Sequence, residues 1–337
     1  MKSIQRLLIV KTSSMGDVIH MLPAITDIAR VYPELQIDWV VEEGFASIPA
    51  WHPSVNKVIP VAVRRWRKNL FNASTWQQIR SFRKLLRETP YDLVIDSQGL
   101  FKSAVLASWA KKPVAGMDKR SAREPVASRF YHDHYPVMRG QHAVPRNRQL
   151  VAQALDFSLE DMPLDYGLAD NTYSTLKPEQ QISTNLPNRF VIFLHAASTP
   201  EKEWPVKQWI SLGREMNKRG LSVLLPWGDK REQDNAQSIA DGLSHTQVLP
   251  RLGLNELAGL FVRAEVLVGE DSGLSHMAAA LDRPIVALYL VTNPALTGVM
   301  GSEKNKDSRV KNLQVAGEEQ DVEKVVNILD EWLPAAD

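Results

Sequence analysis

The sequence predicts an α/β protein made of two doubly wound, Rossmann-like domains facing a cleft. Three observations carry this. The chain has 337 residues, more than one hydrophobic core usually serves. Short apolar strands alternate with helix-like stretches, the pattern of a parallel sheet. A polar segment interrupts that alternation once, after which it resumes. In the first half the strands are Leu7–Val10, Ile37–Val41, Val58–Val61 and Leu93–Asp96, with helices near 24–32, 75–88 and 101–111. The interruption near 167–188 carries Asp170, Asn171, Pro178 and Asn185 in a Ser/Thr/Gln-rich setting and reads as a linker. Strands Val191–Leu194, Val223–Leu225, Val266–Val268 and Ile285–Tyr289 follow, between helices near 205–219, 231–242, 254–263 and 274–281. Residues 320–333 place apolar side chains at helical spacing, as a terminal helix would. The domains are therefore 1–170 and 189–337, joined by a linker at 171–188, with no internal repeat.

Composition narrows the function. Apolar residues make up 44% and charged residues 23%, the balance of an ordinary globular protein rather than a disordered one. No apolar run approaches the ~18 residues of a spanning helix, and no signal-type segment opens the chain, so a cytoplasmic location is expected. Cysteine is absent, which excludes disulfides, thiolate metal sites and thiol nucleophiles. Oxygen and nitrogen groups must do any chemistry. The net charge of +1 conceals a division: residues 1–170 carry 23 Lys and Arg against 17 Asp and Glu, the remainder 17 against 22. A basic first half suits an acidic partner, although solvated surface charge is the plain alternative.

Three polar stretches follow apolar strands, where open α/β sheets bind ligands. The first is "VKTSSMGDVIH", 10 to 20. Asp17 is a candidate base, since a carboxylate with an ordinary pKa of ~3.9 is ionised at neutral pH and can accept a proton from an attacking hydroxyl. Asp17 or Ser14 capping a helix fits the same residues. The second is "FLHAASTPEKEWP", 193 to 205, where Ser198 can hydrogen-bond a phosphate and Lys202 can neutralise it. An exposed lysine before a helix begun by Pro205 is the simpler reading. The third is "LVGEDSGLSHMAAALDRP", 267 to 284, in which Asp271, Ser272 and Gly273 precede a small-residue helix whose free N–H groups make an anion site. Here too Asp271 or Ser272 can serve only as a cap, and His276 as an ordinary helix histidine.

Other signatures weaken competing functions. There is no G-x-G-x-x-G and no G-x-x-x-x-G-K-[ST], which counts against dehydrogenase and P-loop chemistry. No D-x-D is present either, so a pyrophosphate would be met by Lys202 and a helix end rather than by a metal. His132-Asp133-His134 is dense in metal-ligand types, but adjacent positions give poor ligand geometry, and no metal site is expected. The run "VRRWRKNLF", 63 to 71, combines cations with Trp66, Leu70 and Phe71, as at a lipid headgroup layer, or else is a solvated loop. Nucleic acid is disfavoured by the near-neutral total charge and the lack of a nucleic-acid motif.

Taken in order, "VKTSSMGDVIHMLPA", "VVEEGFASIPAWHP", "VIPVAVRRWRK", "IDSQGLFKSA", "AREPVAS", "KEWP", "LPWG" and "DSGLSHMAAALDRP" resemble glycosyltransferase family 9 across nearly the whole chain. Several of these words are those of the branch that adds the first heptose of lipopolysaccharide. The resemblance implies a glycosyltransferase B architecture and an inverting, metal-independent transferase. It implies transfer of L-glycero-D-manno-heptose from ADP-heptose to the first Kdo of Kdo2-lipid A, with no cofactor and with peripheral contact to the cytoplasmic face of the inner membrane. It makes Asp17 the general base and places the donor against Ser198, Lys202, Glu232, Leu252, Asp271, Ser272, Gly273 and His276. Glu232 would face the ribose, Lys202 the phosphates and the Leu252 backbone the adenine. Arg64, Arg65, Lys68 and Arg123 would receive the acceptor's carboxylates and phosphates. Two features depart from the family: Ala197 stands where a hydroxyl residue is common, and "YLVTNP", 289 to 294, differs from a Gly-Pro-Thr-Asp-Pro tendency. Addition of the second heptose, and non-catalytic binding of anionic saccharide or lipid, are the alternative functions.

Overall fold

The computed structural model describes residues 4–168 and 186–333. The chain divides into two compact units, Met1–Gly167 and Leu168–Asp337, each with its own six-stranded parallel sheet. Most of the expected linker, residues 171–185, lies outside the described residues.

In the first unit, β1 (Arg6–Val10), β2 (Gln36–Glu42), β3 (Val55–Val61), β4 (Leu93–Asp96), β5 (Val114–Met117) and β6 (Asp133–Tyr135) lie in the order β3-β2-β1-β4-β5-β6. β1 is paired on both sides, Val10 beside Val40 of β2 and Asp96 of β4. Leu7 to Val10 are fully buried, and a parallel strand covered on both faces must be apolar throughout rather than alternating. In the second unit, β7 (Phe190–Leu194), β8 (Ser222–Leu225), β9 (Thr246–Val248), β10 (Val266–Glu270), β11 (Ile285–Tyr289) and β12 (Val310–Gln314) are ordered β12-β11-β10-β7-β8-β9. Numbered within each unit, both sheets run 3-2-1-4-5-6. The winding therefore reverses between β1 and β4 in one sheet and between β7 and β10 in the other, the switch points at which such sheets bind ligands.

Helices cover these sheets with apolar stripes. The helix Ala73–Glu88 starts at Asn72, whose side chain accepts the Ser74 N–H, and buries Thr75, Phe82 and Leu86. Phe82 meets the rings of Trp66 and Trp109 edge-on. In the second unit Trp204 and Trp209 pack with ring centroids 5.1 Å apart, and the terminal helix Gln320–Trp332 adds Val322, Val325 and Leu329 to the same core.

The strands and longer helices expected from sequence are present, with ends displaced by up to three residues. The basic run is not a solvated loop: Val63–Lys68 is a helix, and Trp66 is buried in the core with its indole N–H donated to Gln78. Leu70 and Phe71 are the exposed apolar members of that run. Four strands carried no readable pattern. β6, β9 and β12 are sheet edges and only partly buried, and β5 is four residues long with a glycine in it.

Candidate active site

In the first unit β1 ends at Val10 and the chain passes through Lys11–Ser14 into the short helix Met15–Ile19. The Asp17 Oδ2 accepts the Ser14 backbone N–H at 2.9 Å and its hydroxyl at 3.2 Å. Asp17 thus does cap its helix, and capping fixes where the carboxylate points. It keeps 26% of its side-chain surface exposed, and the Arg123 guanidinium stands 3.8 Å from the same oxygen. A fixed, accessible carboxylate beside a cation is compatible with proton transfer.

The segment after β4 builds the floor of this loop. The Gln98 Oε1 accepts the backbone N–H groups of Thr12 and Ser13 at 3.0 and 3.1 Å. Lys102 reaches the Ser13 hydroxyl at 3.2 Å. Buried Lys11 donates to the Ser97 carbonyl at 3.0 Å; burial lowers its pKa, against the opposing pull of Asp17 and Asp96. Asp96 is itself buried, which pushes it up to about 6 while Tyr131, Ser103 and the Gln98 N–H donate to it. The turn needs Gly99: its φ is +65°, and a Cβ there would stand 3.2 Å from the Arg123 backbone nitrogen. Gln98 and Lys102 were not foreseen as site residues, although "IDSQGLFKSA" follows a strand just as the Asp17 segment does.

Arg64, Arg65 and Lys68 line a cavity of about 400 Å³ with Glu42, Glu43 and Phe45. Arg65 forms a forked pair with Glu43, both contacts at 3.0 Å, and the Arg64 guanidinium lies 5.2 Å from the Phe45 ring centre. Arg123 belongs with Asp17 and not with this cavity. His132 and His134 are tied to backbone, through the Val114 N–H and the Ser128 carbonyl. Among the described residues no three His, Asp or Glu side chains converge as a metal requires.

In the second unit the donor candidates all follow carboxyl ends of strands: Ser198 and Lys202 after β7, Glu232 after β8, Leu252 after β9, and Asp271 to Gly273 after β10. Lys202 and Asp271 meet at 2.6 Å, and the Thr292 hydroxyl donates to the same Asp271 oxygen at 2.7 Å. Thr292 comes from the divergent 289–294 loop, which gives that loop a place in the site that sequence alone did not provide. Asp271 precedes the helix Gly273–Ala280, with extended Ser272 as its first cap and buried His276 in its first turns. The Glu232 Oε2 accepts the Gly228 N–H at 2.6 Å, while Asp229 accepts the Glu232 N–H at 3.0 Å, so the helix start holds that carboxylate in place. Arg231 pairs with Glu203 and reaches the Ala197 carbonyl at 3.4 Å, joining the β8 and β7 loops. Ser198 is exposed and Leu252 partly buried; neither shares a hydrogen bond with the Lys202–Asp271 pair.

The pattern defining Glycosyltransferase family 9 (heptosyltransferase) matches residues 79–326. The lipopolysaccharide heptosyltransferase 1 of Pseudomonas aeruginosa is 52% identical over 297 residues, 88% of this chain and 81% of that protein. The lipopolysaccharide heptosyltransferase 1 of Escherichia coli K12 is 44% identical over 303 residues, 89% of this chain and 92% of its own. The solved structure of E. coli heptosyltransferase WaaC with ADP superposes with a TM-score of 0.86 at 40% identity, covering 98% of this chain and all of that one. WaaC with ADP-2-deoxy-2-fluoro heptose gives 0.83 at 39% identity, covering 97% and 99%. With a match that spans most of the chain and relatives this similar over nearly their full length, the chain belongs to glycosyltransferase family 9, the heptosyltransferases.

Proposed function

We propose that this heptosyltransferase moves L-glycero-D-manno-heptose from ADP-heptose to the first Kdo of Kdo2-lipid A, inverting the anomeric carbon in one displacement. The observation that carries the reading is the Lys202–Asp271 pair at the amino end of Gly273–Ala280. The Lys202 cation and the helix start at Gly273 and Leu274 suit the place where a departing diphosphate gains charge. The names of the similar proteins, and the ADP-containing ligands in the WaaC structures, support the donor.

Asp17 takes the proton of a Kdo hydroxyl as its oxygen bonds to the heptose anomeric carbon and the bond from that carbon to the diphosphate breaks. ADP departs with the electron pair. Ser198 and Lys202 hold its phosphates, Glu232 its ribose hydroxyls, and the Leu252 backbone lies beside adenine, with Asp271, Ser272, Gly273 and His276 completing the donor site. Arg64, Arg65, Lys68 and Arg123 take the carboxylates and phosphates of the acceptor. Because Lys202 and the helix end supply the neutralising charge, the reaction is metal-independent, and EDTA leaves turnover intact; complete, metal-reversible inhibition contradicts this.

The enzyme works on the cytoplasmic face of the inner membrane as a peripheral protein. Its support is the exposed Leu70 and Phe71 next to Arg67 and Lys68. Among the described residues no helix is long and apolar enough to cross a membrane. The deciding experiment incubates ADP-heptose with Kdo2-lipid A and looks for a heptosylated product by mass. Donor binding without product favours a non-catalytic binder, and product only from an acceptor already bearing one heptose favours addition of the second.

A further inference from the structure

β7 and β10 are neighbours, with Gly269 beside Leu194, and the next residue of each is Glu270 and His195. The alternation that turns Phe193 and Val268 into the core turns these two the same way, and both are buried. The Glu270 Oε1 accepts the Trp204 backbone N–H at 2.7 Å and the Trp209 indole N–H at 3.4 Å. Its Oε2 makes no hydrogen bond among the described residues, so stability alone does not account for a carboxyl here. Its position in the chain does. Trp204 lies two residues after Lys202, and Asp271 directly follows Glu270. One buried side chain thus fastens the Lys202 loop to the strand whose next residue receives the Lys202 ammonium.

We propose that Glu270 is a positioning residue for the donor diphosphate: by holding the Trp204 backbone it fixes the loop from which Lys202 reaches Asp271. The proposal rests on the donor reading above. The charged groups that act on the carboxyl are Glu203 on the loop and Arg231 from the helix Lys230–Ala240, paired with Glu203, while buried His195 follows the end of the adjacent strand. Burial pushes Glu270 up to about 8, so it acts at neutral pH as a neutral acceptor, a part that glutamine can fill.

The test measures ADP affinity by calorimetry for the wild type, Glu270→Gln, Glu270→Leu, Lys202→Ala and the double variant Lys202→Ala/Glu270→Leu. Glu270→Gln should bind within about twofold of wild type and Glu270→Leu about tenfold more weakly, the order of one lost hydrogen bond. In the Lys202→Ala background, Glu270→Leu should cost less than about twofold, because the two residues act through one contact. Equal losses in both backgrounds overturn the proposal and leave Glu270 a structural residue. Wild-type binding by Glu270→Leu, or a Glu270→Gln as weak as Glu270→Leu, overturns it too. Circular dichroism checks that each variant folds, and Glu270→Met replaces Glu270→Leu if the latter does not. Hydrogen exchange of the Trp204 amide, faster in the Leu or Met variant and unchanged in Glu270→Gln, tests the fastening without ADP. Should wild type fail to bind ADP, the donor reading falls while this exchange result still stands or fails by itself.

Discussion

At the scale of single residues, Asp17 joins an observed capping contact to the base role proposed for it. Its Oδ2 holds the Ser14 N–H, and this hydrogen bond orients the carboxylate. The amide oxygen of an asparagine can accept the same N–H but does not take a proton. Asp17→Asn should therefore keep its fold and its ADP affinity while turnover falls by ~10²–10⁴, the usual worth of a positioned base. Near-normal turnover removes the assignment. Glu270 makes a second prediction, on stability. Its folded-state pKa of about 8 lies above the ordinary 4.5. Between those values the unfolded chain has released the proton and the folded chain retains it, so rising pH favours unfolding. The loss begins near pH 4.5, is complete near pH 8, and has a slope of at most about 1.4 kcal/mol per pH unit. Denaturant melts across this window should show the wild type losing stability relative to Glu270→Gln; parallel curves refute the assignment.

At the scale of elements, strands buried on both faces announce themselves, whereas of the four edges only β3 was legible. β1 and β11 are continuous apolar runs because neighbours cover both sides, whereas β12 reads "VKNLQ" because one side has no partner. β5 is hidden for another reason. Gly116 lacks a side chain because the Tyr131 ring lies where a Cβ would be, 2.3 Å from its Cε2, and Tyr131 in turn donates to buried Asp96 at 2.8 Å. Gly116→Ala must push that ring away. A loss of about 1–3 kcal/mol is expected by thermal melting, as for other overpacked cores. An unchanged melting temperature would show that the ring has room to move.

At the scale of the whole molecule, two units wind in the same order, and each places its polar segments after the strands that flank its switch point. The charge division follows the units, with the basic excess in the half that holds Arg64, Arg65, Lys68 and Arg123. The proposed membrane surface uses Arg67 and Phe71, which stand outside the roles given to those four. Arg67→Gln with Phe71→Ser should lower flotation on anionic liposomes by fivefold or more, a cation near such a surface being worth about 1 kcal/mol, and added salt should lower it further in wild type. Unchanged flotation discards the surface.

The sequence by itself determined what is contiguous: buried strands, helix starts, and the polar segments that follow a strand's carboxyl end. Those features depend on neighbours a few residues apart, so a local pattern expresses them. Only the tertiary structure decided which of these segments meet. Gln98 holds Thr12 across 86 residues, Glu270 holds Trp204 across 66, and Thr292 reaches Asp271 across 21. Such contacts follow from strand order and register, which place distant residues side by side and leave no periodicity in the chain.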